Sequence, residues 1–207
     1  MEFRELAVSG SWEITPRQLG DSRGLFLELF KESTFVAEVG HTFDLKQANC
    51  SVSAAGVVRG IHFAQLPPSQ AKYVTCPHGA VLDYVIDIRV GSPTFGTWDS
   101  VLLDDVDRRA IYLSEGLGHM FVSLEDHSTV VYLCSAPYAP GREWGVNPRC
   151  PEVGIAFPDK GRDGRPLQLI LSEKDEAAPT LSEAQTLGIL PTWEDQRAYI
   201  RSLAGPA

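Results

Sequence analysis

Closely spaced cysteine pairs are missing from this chain of 207 residues. Cys50, Cys76, Cys134 and Cys150 are scattered with no C-x-x-C, so neither a disulfide frame nor a cysteine zinc site is signalled, and reduced, partly buried thiols are expected. No apolar run approaches the roughly 20 residues that cross a bilayer. Met1-Glu2-Phe3-Arg4-Glu5 lacks the apolar core of a secretory signal. A cytoplasmic protein making no membrane contact is therefore expected. Positive charge is also scarce: 18 Lys and Arg stand against 27 Asp and Glu, a formal net charge of −9. That balance argues against a nucleic-acid partner, though a few arginines in a cleft can still hold a small anion. His41, His62, His78, His119 and His127 form no H-x-H pair, and the residue two after His62 is Ala64, so no metal is expected. The glycines form no P-loop and no G-x-G-x-x-G pattern.

What is present is an ordinary globular composition, 43% hydrophobic and 22% charged, expected to fold as one domain over residues 1–207. From Tyr73 to Ala136 the chain reads as short strands. Between Ala80 and Ile88, Leu82, Tyr84, Ile86 and Ile88 share one face and Asp83, Val85 and Asp87 the other, which is the period of a strand. Trp98–Leu103, Ala110–Leu113, Gly118–Leu124 and Ser128–Cys134 are further strands, separated by turn residues. This spacing suggests an antiparallel sandwich or barrel. Helices are expected at Lys31–Val39, ended by Gly40, and after the capping box Thr180-Leu181-Ser182-Glu183, ended by Gly188. Residues 159–166 read as an exposed loop.

One short span carries the clearest chemistry. Arg59-Gly60-Ile61-His62 is followed by Lys72 in Gln70-Ala71-Lys72, with Pro67-Pro68 between them. If the flanks are strands, a hairpin can aim a base and a cation into one cavity. Proton abstraction beside a carbonyl needs that pair, one group to take the proton and one to hold the enolate oxygen. Tyr132 lies in an apolar strand, where its phenol needs a partner or a role. His119 opens a strand, Asp83 and Asp87 need donors if they face inward, and Asp175 could orient an imidazole. Each also has a plain reading: Tyr132 as a core tyrosine, Asp83 at a rim, Asp175 as a solvated loop acid.

Several motifs occur in order: Asp21-Ser22-Arg23-Gly24-Leu25-Phe26-Leu27-Glu28, Gln47-Ala48-Asn49-Cys50-Ser51, Arg59-Gly60-Ile61-His62, Gln70-Ala71-Lys72, Asp87-Ile88-Arg89-Val90-Gly91-Ser92-Pro93-Thr94-Phe95-Gly96, Glu115-Gly116-Leu117-Gly118-His119 and Leu171-Ser172-Glu173-Lys174-Asp175. From about Arg4 to Leu190 the chain resembles the dTDP-4-dehydrorhamnose 3,5-epimerase family, with its relatives in antibiotic deoxysugar pathways. The resemblance implies a mainly β, cupin-type jelly-roll barrel with short flanking helices, its barrel core at about residues 45–158 and a C-terminal helical segment at about 176–203. It implies a homodimer, without metal or cofactor, acting on a dTDP-4-keto-6-deoxyhexose at C3 and C5. His62 would be the general base, Asp175 its dyad partner, Lys72 the holder of the enolate oxygen and Tyr132 the opposite-face acid. His119, with Asp83, would be a second substrate contact. Arg23, Glu28, Gln47, Asn49, Arg59, Glu143 and Lys174 match substrate-contacting positions, and Tyr138 an aromatic that stacks on thymine.

The same residues make sense chemically. C3 and C5 both flank the C4 ketone, so one base and one cation can serve both in turn. Inversion needs two groups on opposite faces, and a histidine with an ordinary pKa near 6.5 suits a base at neutrality. Arg23 and Arg59 suit a pyrophosphate. The chain departs from the family at Ala64 (usually Gln), at Ala71 (usually Gly), at Leu133-Cys134-Ser135-Ala136-Pro137-Tyr138 and at Asn147-Pro148-Arg149-Cys150-Pro151. These changes bear on whether both carbons react. The competing readings are a C3-only epimerase, a non-catalytic cupin that binds a nucleotide sugar, and a metal-dependent cupin.

Overall fold

The computed structural model describes residues 1–204. Its strands are β1 (Glu2–Glu5), β2 (Ser11–Thr15), β3 (Gln18–Asp21), β4 (Gly24–Leu27), β5 (Gln47–Ser53), β6 (Val58–Ala64) and β7 (Lys72–His78), then β8 (Ala80–Ile86), β9 (Trp98–Asp104), β10 (Ala110–Leu113), β11 (Gly118–Ser123), β12 (Ser128–Cys134) and β13 (Glu143–Gly145). The helices are α1 (Glu32–Val39), α2 (Glu173–Glu176), α3 (Leu181–Thr186) and α4 (Trp193–Leu203). Among the described residues no helix is long and apolar enough to cross a membrane.

Two antiparallel sheets face each other. One has six strands in the order β1-β2-β10-β7-β12-β5, the other five in the order β13-β6-β11-β8-β9, and β3 and β4 form a separate hairpin. This is the expected jelly-roll arrangement, as two separate layers and not one continuous closed barrel. The strands expected from Ala80 to Cys134 are present to within two residues at their ends. The six-stranded sheet also takes in β1 and β2, so it begins well before the expected barrel core.

The hairpin expected between His62 and Lys72 does not form. β6 pairs with β11 and β13, whereas β7 pairs with β10 and β12, so the proline-bearing link crosses from one layer to the other. The two side chains therefore stand on opposite walls.

The alternation in β8 explains its near-complete burial. Val81 and Val85 face the space between the sheets, packed with Val74, Val101, Phe121 and Val130. Tyr84 and Ile86 point the other way, against Val146, Val153, Leu181 and Leu190 of the C-terminal segment. The outer face of the six-stranded sheet is covered by Phe35 and Phe43 over Tyr73 and Tyr112. A sheet buried on both faces reads as nearly continuous apolar strand, and truncating a buried aromatic such as Phe63 to Ala costs about 3–5 kcal/mol. The helix ends follow their sequence signals: Gly40 ends α1 in the left-handed region at φ 90°, and Thr180 and Glu183 close the capping box of α3. All four cysteines are free. Cys76, Cys134 and Cys150 are buried, while Cys50 lies exposed on the edge strand β5.

Candidate active site

A cavity of about 460 Å³ opens between the layers, lined among others by Arg59, His62, His119, Lys72, Tyr132 and Asp175. A second hollow of about 350 Å³ shares His62, Lys72, Tyr132 and Lys174 with it and adds Gln47, Asn49, Tyr138 and Glu143. The five-stranded sheet supplies His62 and His119, which are cross-strand partners on β6 and β11. The six-stranded sheet supplies Lys72 and Tyr132 from β7 and β12, with the Lys72 Nζ 6.0 Å from the centre of the Tyr132 ring.

A bulge puts two of these groups on one face. Between His119 and Phe121 of β11, β6 runs from His62 to Arg59, one residue more. In a regular strand Arg59 and His62 would point to opposite faces. The extra residue brings both to the cavity, while Ile61 and Phe63 pack on the outer core. Gly60 is the residue that permits it. Its φ is +125°, and a Cβ there would lie 2.4 Å from the His119 carbonyl oxygen.

Asp175 arrives from far along the chain. Ile170 accepts a hydrogen bond from the Val58 N–H, which docks this segment beside the start of β6. Ser172 caps α2 and accepts from the Asp175 N–H at 3.1 Å. Asp175 is 6% exposed, and its Oδ1 lies 2.7 Å from His62 Nε2. Burial pushes its carboxyl up, but the hydrogen bonds from His62, Ser172 and the Gly60 backbone outweigh this and hold it below the usual carboxylate range. An ionised carboxylate only accepts, so Nε2 carries the proton and Nδ1 the lone pair that a base needs.

The other groups are tuned mainly by burial. Desolvation lowers the Lys72 ammonium from its ordinary value, while Glu143 and Asp83 pull it back up. Desolvation also raises the Tyr132 phenol, with Arg59 opposing, so the phenol keeps its proton near neutrality. At the cavity floor Asp83 accepts from His119 Nε2 at 3.0 and 2.9 Å. Its carboxyl is pushed up by burial, partly offset by His119 and Lys72. Asp83 is thus fully enclosed and not at a rim.

Asp87 turns away from this site, into a buried ion pair with Arg89 at 2.7 Å. On β5, Gln47 donates to Asn49 at 2.8 Å and accepts from the Tyr138 N–H at 2.9 Å. Arg59 Nε donates to Ser53 Oγ at 3.1 Å.

Arg23 and Glu28 are not part of this wall. Both lie by the exposed β3–β4 hairpin, Arg23 paired with Asp21 and Glu28 3.9 Å from Lys31. Conversely, Ser51, Gln70 and Trp144 line the hollows and are not among the expected site residues. Ser51 was findable, because it continues the two-residue period of Gln47 and Asn49 along β5. Ser172 was findable as an N-cap three residues before Asp175.

The dTDP-4-dehydrorhamnose 3,5-epimerase family matches residues 5–183. A protein of that name from Mycolicibacterium smegmatis is 61% identical over 203 residues, 98% of this chain and 97% of its own length. The rmlC epimerase structure from Mycobacterium tuberculosis superposes with a TM-score of 0.93 at 55% identity, covering 98% of this chain and all of that one (100%). ChmJ, a 3'-monoepimerase from Streptomyces bikiniensis solved with dTDP-quinovose, gives a TM-score of 0.90 at 45% identity, covering 96% and 98%. The chain belongs to the dTDP-4-dehydrorhamnose 3,5-epimerase family, a group of isomerases.

Proposed function

We propose that this protein epimerises a dTDP-4-keto-6-deoxyhexose, converting dTDP-4-dehydro-6-deoxy-D-glucose to dTDP-4-dehydro-L-rhamnose. The observation that carries this reading is the division of groups between two walls. His62, oriented by Asp175, stands on one sheet, and Lys72 and Tyr132 stand on the other. His62 takes the proton next to the C4 ketone, the bond's electron pair moves onto the carbonyl oxygen, and the Lys72 ammonium holds the resulting enolate. Tyr132 returns a proton to the opposite face of the same carbon. His62 then loses its proton to solvent and the Tyr132 phenolate regains one. Arg59 and Lys174 bind the diphosphate and Tyr138 stacks on the thymine.

The protein works as a homodimer in this reading. The β3–β4 hairpin exposes Leu25, Phe26 and, just beyond it, Leu29, an apolar patch that a second copy would cover. Arg23 and Glu28 ride on that hairpin, out of reach of their own chain's cavity, and would complete the partner's. Sedimentation that gives a monomer, or an unchanged KM in Arg23→Ala, would count against this arrangement.

Restriction to C3 is the second reading. It is favoured by the departures at Ala64 and Leu133–Pro137, and by a 51% identical relative from Streptomyces niveus named dTDP-4-dehydrorhamnose 3-epimerase. Incubation of dTDP-4-keto-6-deoxyglucose with the protein in D₂O, followed by NMR, separates them. Exchange at C3 and C5 is expected, exchange at C3 alone selects the second reading, and exchange at neither rejects both. His62→Ala is expected to abolish exchange.

A further inference from the structure

A third cavity, of about 440 Å³, shares no wall residue with the two described above. It lies where α4 crosses the start of the six-stranded sheet, and its walls carry Arg89, Arg197 and Arg201 together with Trp12, Trp193 and Ile200. The chain as a whole is acidic, so three guanidinium groups about one hollow are a local reversal of charge. Glu5 is the one carboxylate among the lining residues.

Arg89 is the fixed element. It is 1% exposed, and its guanidinium lies 4.5 Å from the Trp193 ring centre. Its Nε and Nη2 donate to Asp87 at 2.8 and 2.7 Å. Asp87 is further held by Ser92 and Thr94, both at 2.6 Å. Nη1 is left over, and no acceptor among the described residues takes it. Gly10 keeps its surroundings clear: a Cβ there would sit 3.8 Å from Nη1 and 2.6 Å from Ser114 Oγ.

Arg197 and Arg201, one helical turn apart, face the same hollow, and neither forms an ion pair among the described residues. The Asp87 charge matches Arg89, and Glu5 offsets one of the other two. One cation is in surplus, with more N–H donors than the wall can satisfy. Donors from three separate guanidinium groups suit the several oxygens of a tetrahedral oxyanion better than the two of a carboxylate. Trp12 and Ile200 offer apolar surface for the rest of such a ligand, while the Trp193 ring carries Arg89 at 4.5 Å and Arg197 at 5.8 Å.

We propose that this cavity is a second binding site, for a phosphomonoester bearing an apolar or aromatic group, separate from the epimerase cavity. It stands apart from the proposed function, since no residue is shared.

Calorimetric titration of the full chain with phenyl phosphate tests it. Arg89 is left in place, because its removal would strand Asp87 in the core. The exposed pair Arg197→Ala/Arg201→Ala should weaken binding about tenfold or more, through loss of charge-assisted hydrogen bonds, with the melting temperature unchanged. Arg59→Ala, which alters the epimerase cavity, should leave the affinity unchanged, as should saturation with dTDP. Benzoate should bind more weakly than phenyl phosphate. The indole N–H resonance of Trp193 should shift on titration. No binding at millimolar phenyl phosphate, equal binding by the double variant, or loss of binding in Arg59→Ala would each overturn the proposal. The Arg197/Arg201 arm does not depend on what fills the first cavity, so it fails separately from the epimerase reading.

Discussion

His62 Nε2 and Asp175 Oδ1 meet at 2.7 Å although the residues are 113 positions apart in the chain. The carboxylate fixes which ring nitrogen carries the proton, and in the proposed mechanism it stabilises the imidazolium formed when His62 acts as the base. Asp175→Asn keeps the shape but not the charge or the tautomer preference. Its rate of C3 exchange in D₂O is expected to fall about 10²–10⁴-fold. A rate within a factor of about two of the parent would remove Asp175 from the mechanism.

The same contact predicts a pH dependence of stability. The folded-state pKa of Asp175 lies below its usual value, so folding favours the ionised form. The contribution is present above the ordinary Asp value near 3.9 and is lost as pH falls through the depressed folded value. The gap in melting temperature between parent and Asp175→Asn should therefore be widest near neutrality and close in acid. A gap that grows in acid would reverse the assignment.

In the proposed mechanism Tyr132 separates proton removal from inversion. In Tyr132→Phe the base and the enolate holder remain, so deuterium should still enter at C3 on the face from which the proton left. Net formation of the inverted sugar should fall by about 10²-fold or more. NMR reads both events in one sample, and inversion at the parent rate would show that another group supplies the second proton.

Gly60→Ala tests the bulge. The new Cβ meets backbone atoms of His119 and Met120 at 2.4 and 2.8 Å, and the φ of +125° is a region that alanine rarely adopts. A loss of about 1–3 kcal/mol in unfolding free energy is expected from the backbone conformation, with reduced exchange because His62 shifts. Denaturant titration measures the first effect. Parent-like stability would mean that the bulge can be closed by a small relaxation.

The strands from Ala80 to Cys134 were legible because each is short, alternates and is bounded by turn residues. The site was legible as a set, since His62, Lys72, Tyr132 and Asp175 do gather in one cavity. Its geometry was not. A short interval holding two prolines looks like a hairpin loop, and nothing local tells β6 to pair with β11 while β7 pairs with β10 and β12. That choice is made by long-range packing. The bulge escaped for a related reason: Arg59 and His62 look opposed until the partner strand sets the register. β1 and β2, of four and five residues, carry too little alternating pattern to be legible. The sequence alone does not decide whether Asp83 sits at a rim or in the core, because only His119 on a neighbouring strand makes its burial tolerable.

The link that carries the chain from β6 across to β7 makes stereochemistry a property of core packing. The proposed base and acid are held apart by the same apolar filling that spaces the two layers, with Val74, Val85 and Val130 at its centre. Enlarging one of these side chains should push the walls apart without touching a reactive group. Lys72 and Tyr132 would recede from His62 together, so the enolate would lose its cation and delivery from the far side would fail. Such a protein would lose isotope exchange and inversion together, with every reactive group still in place.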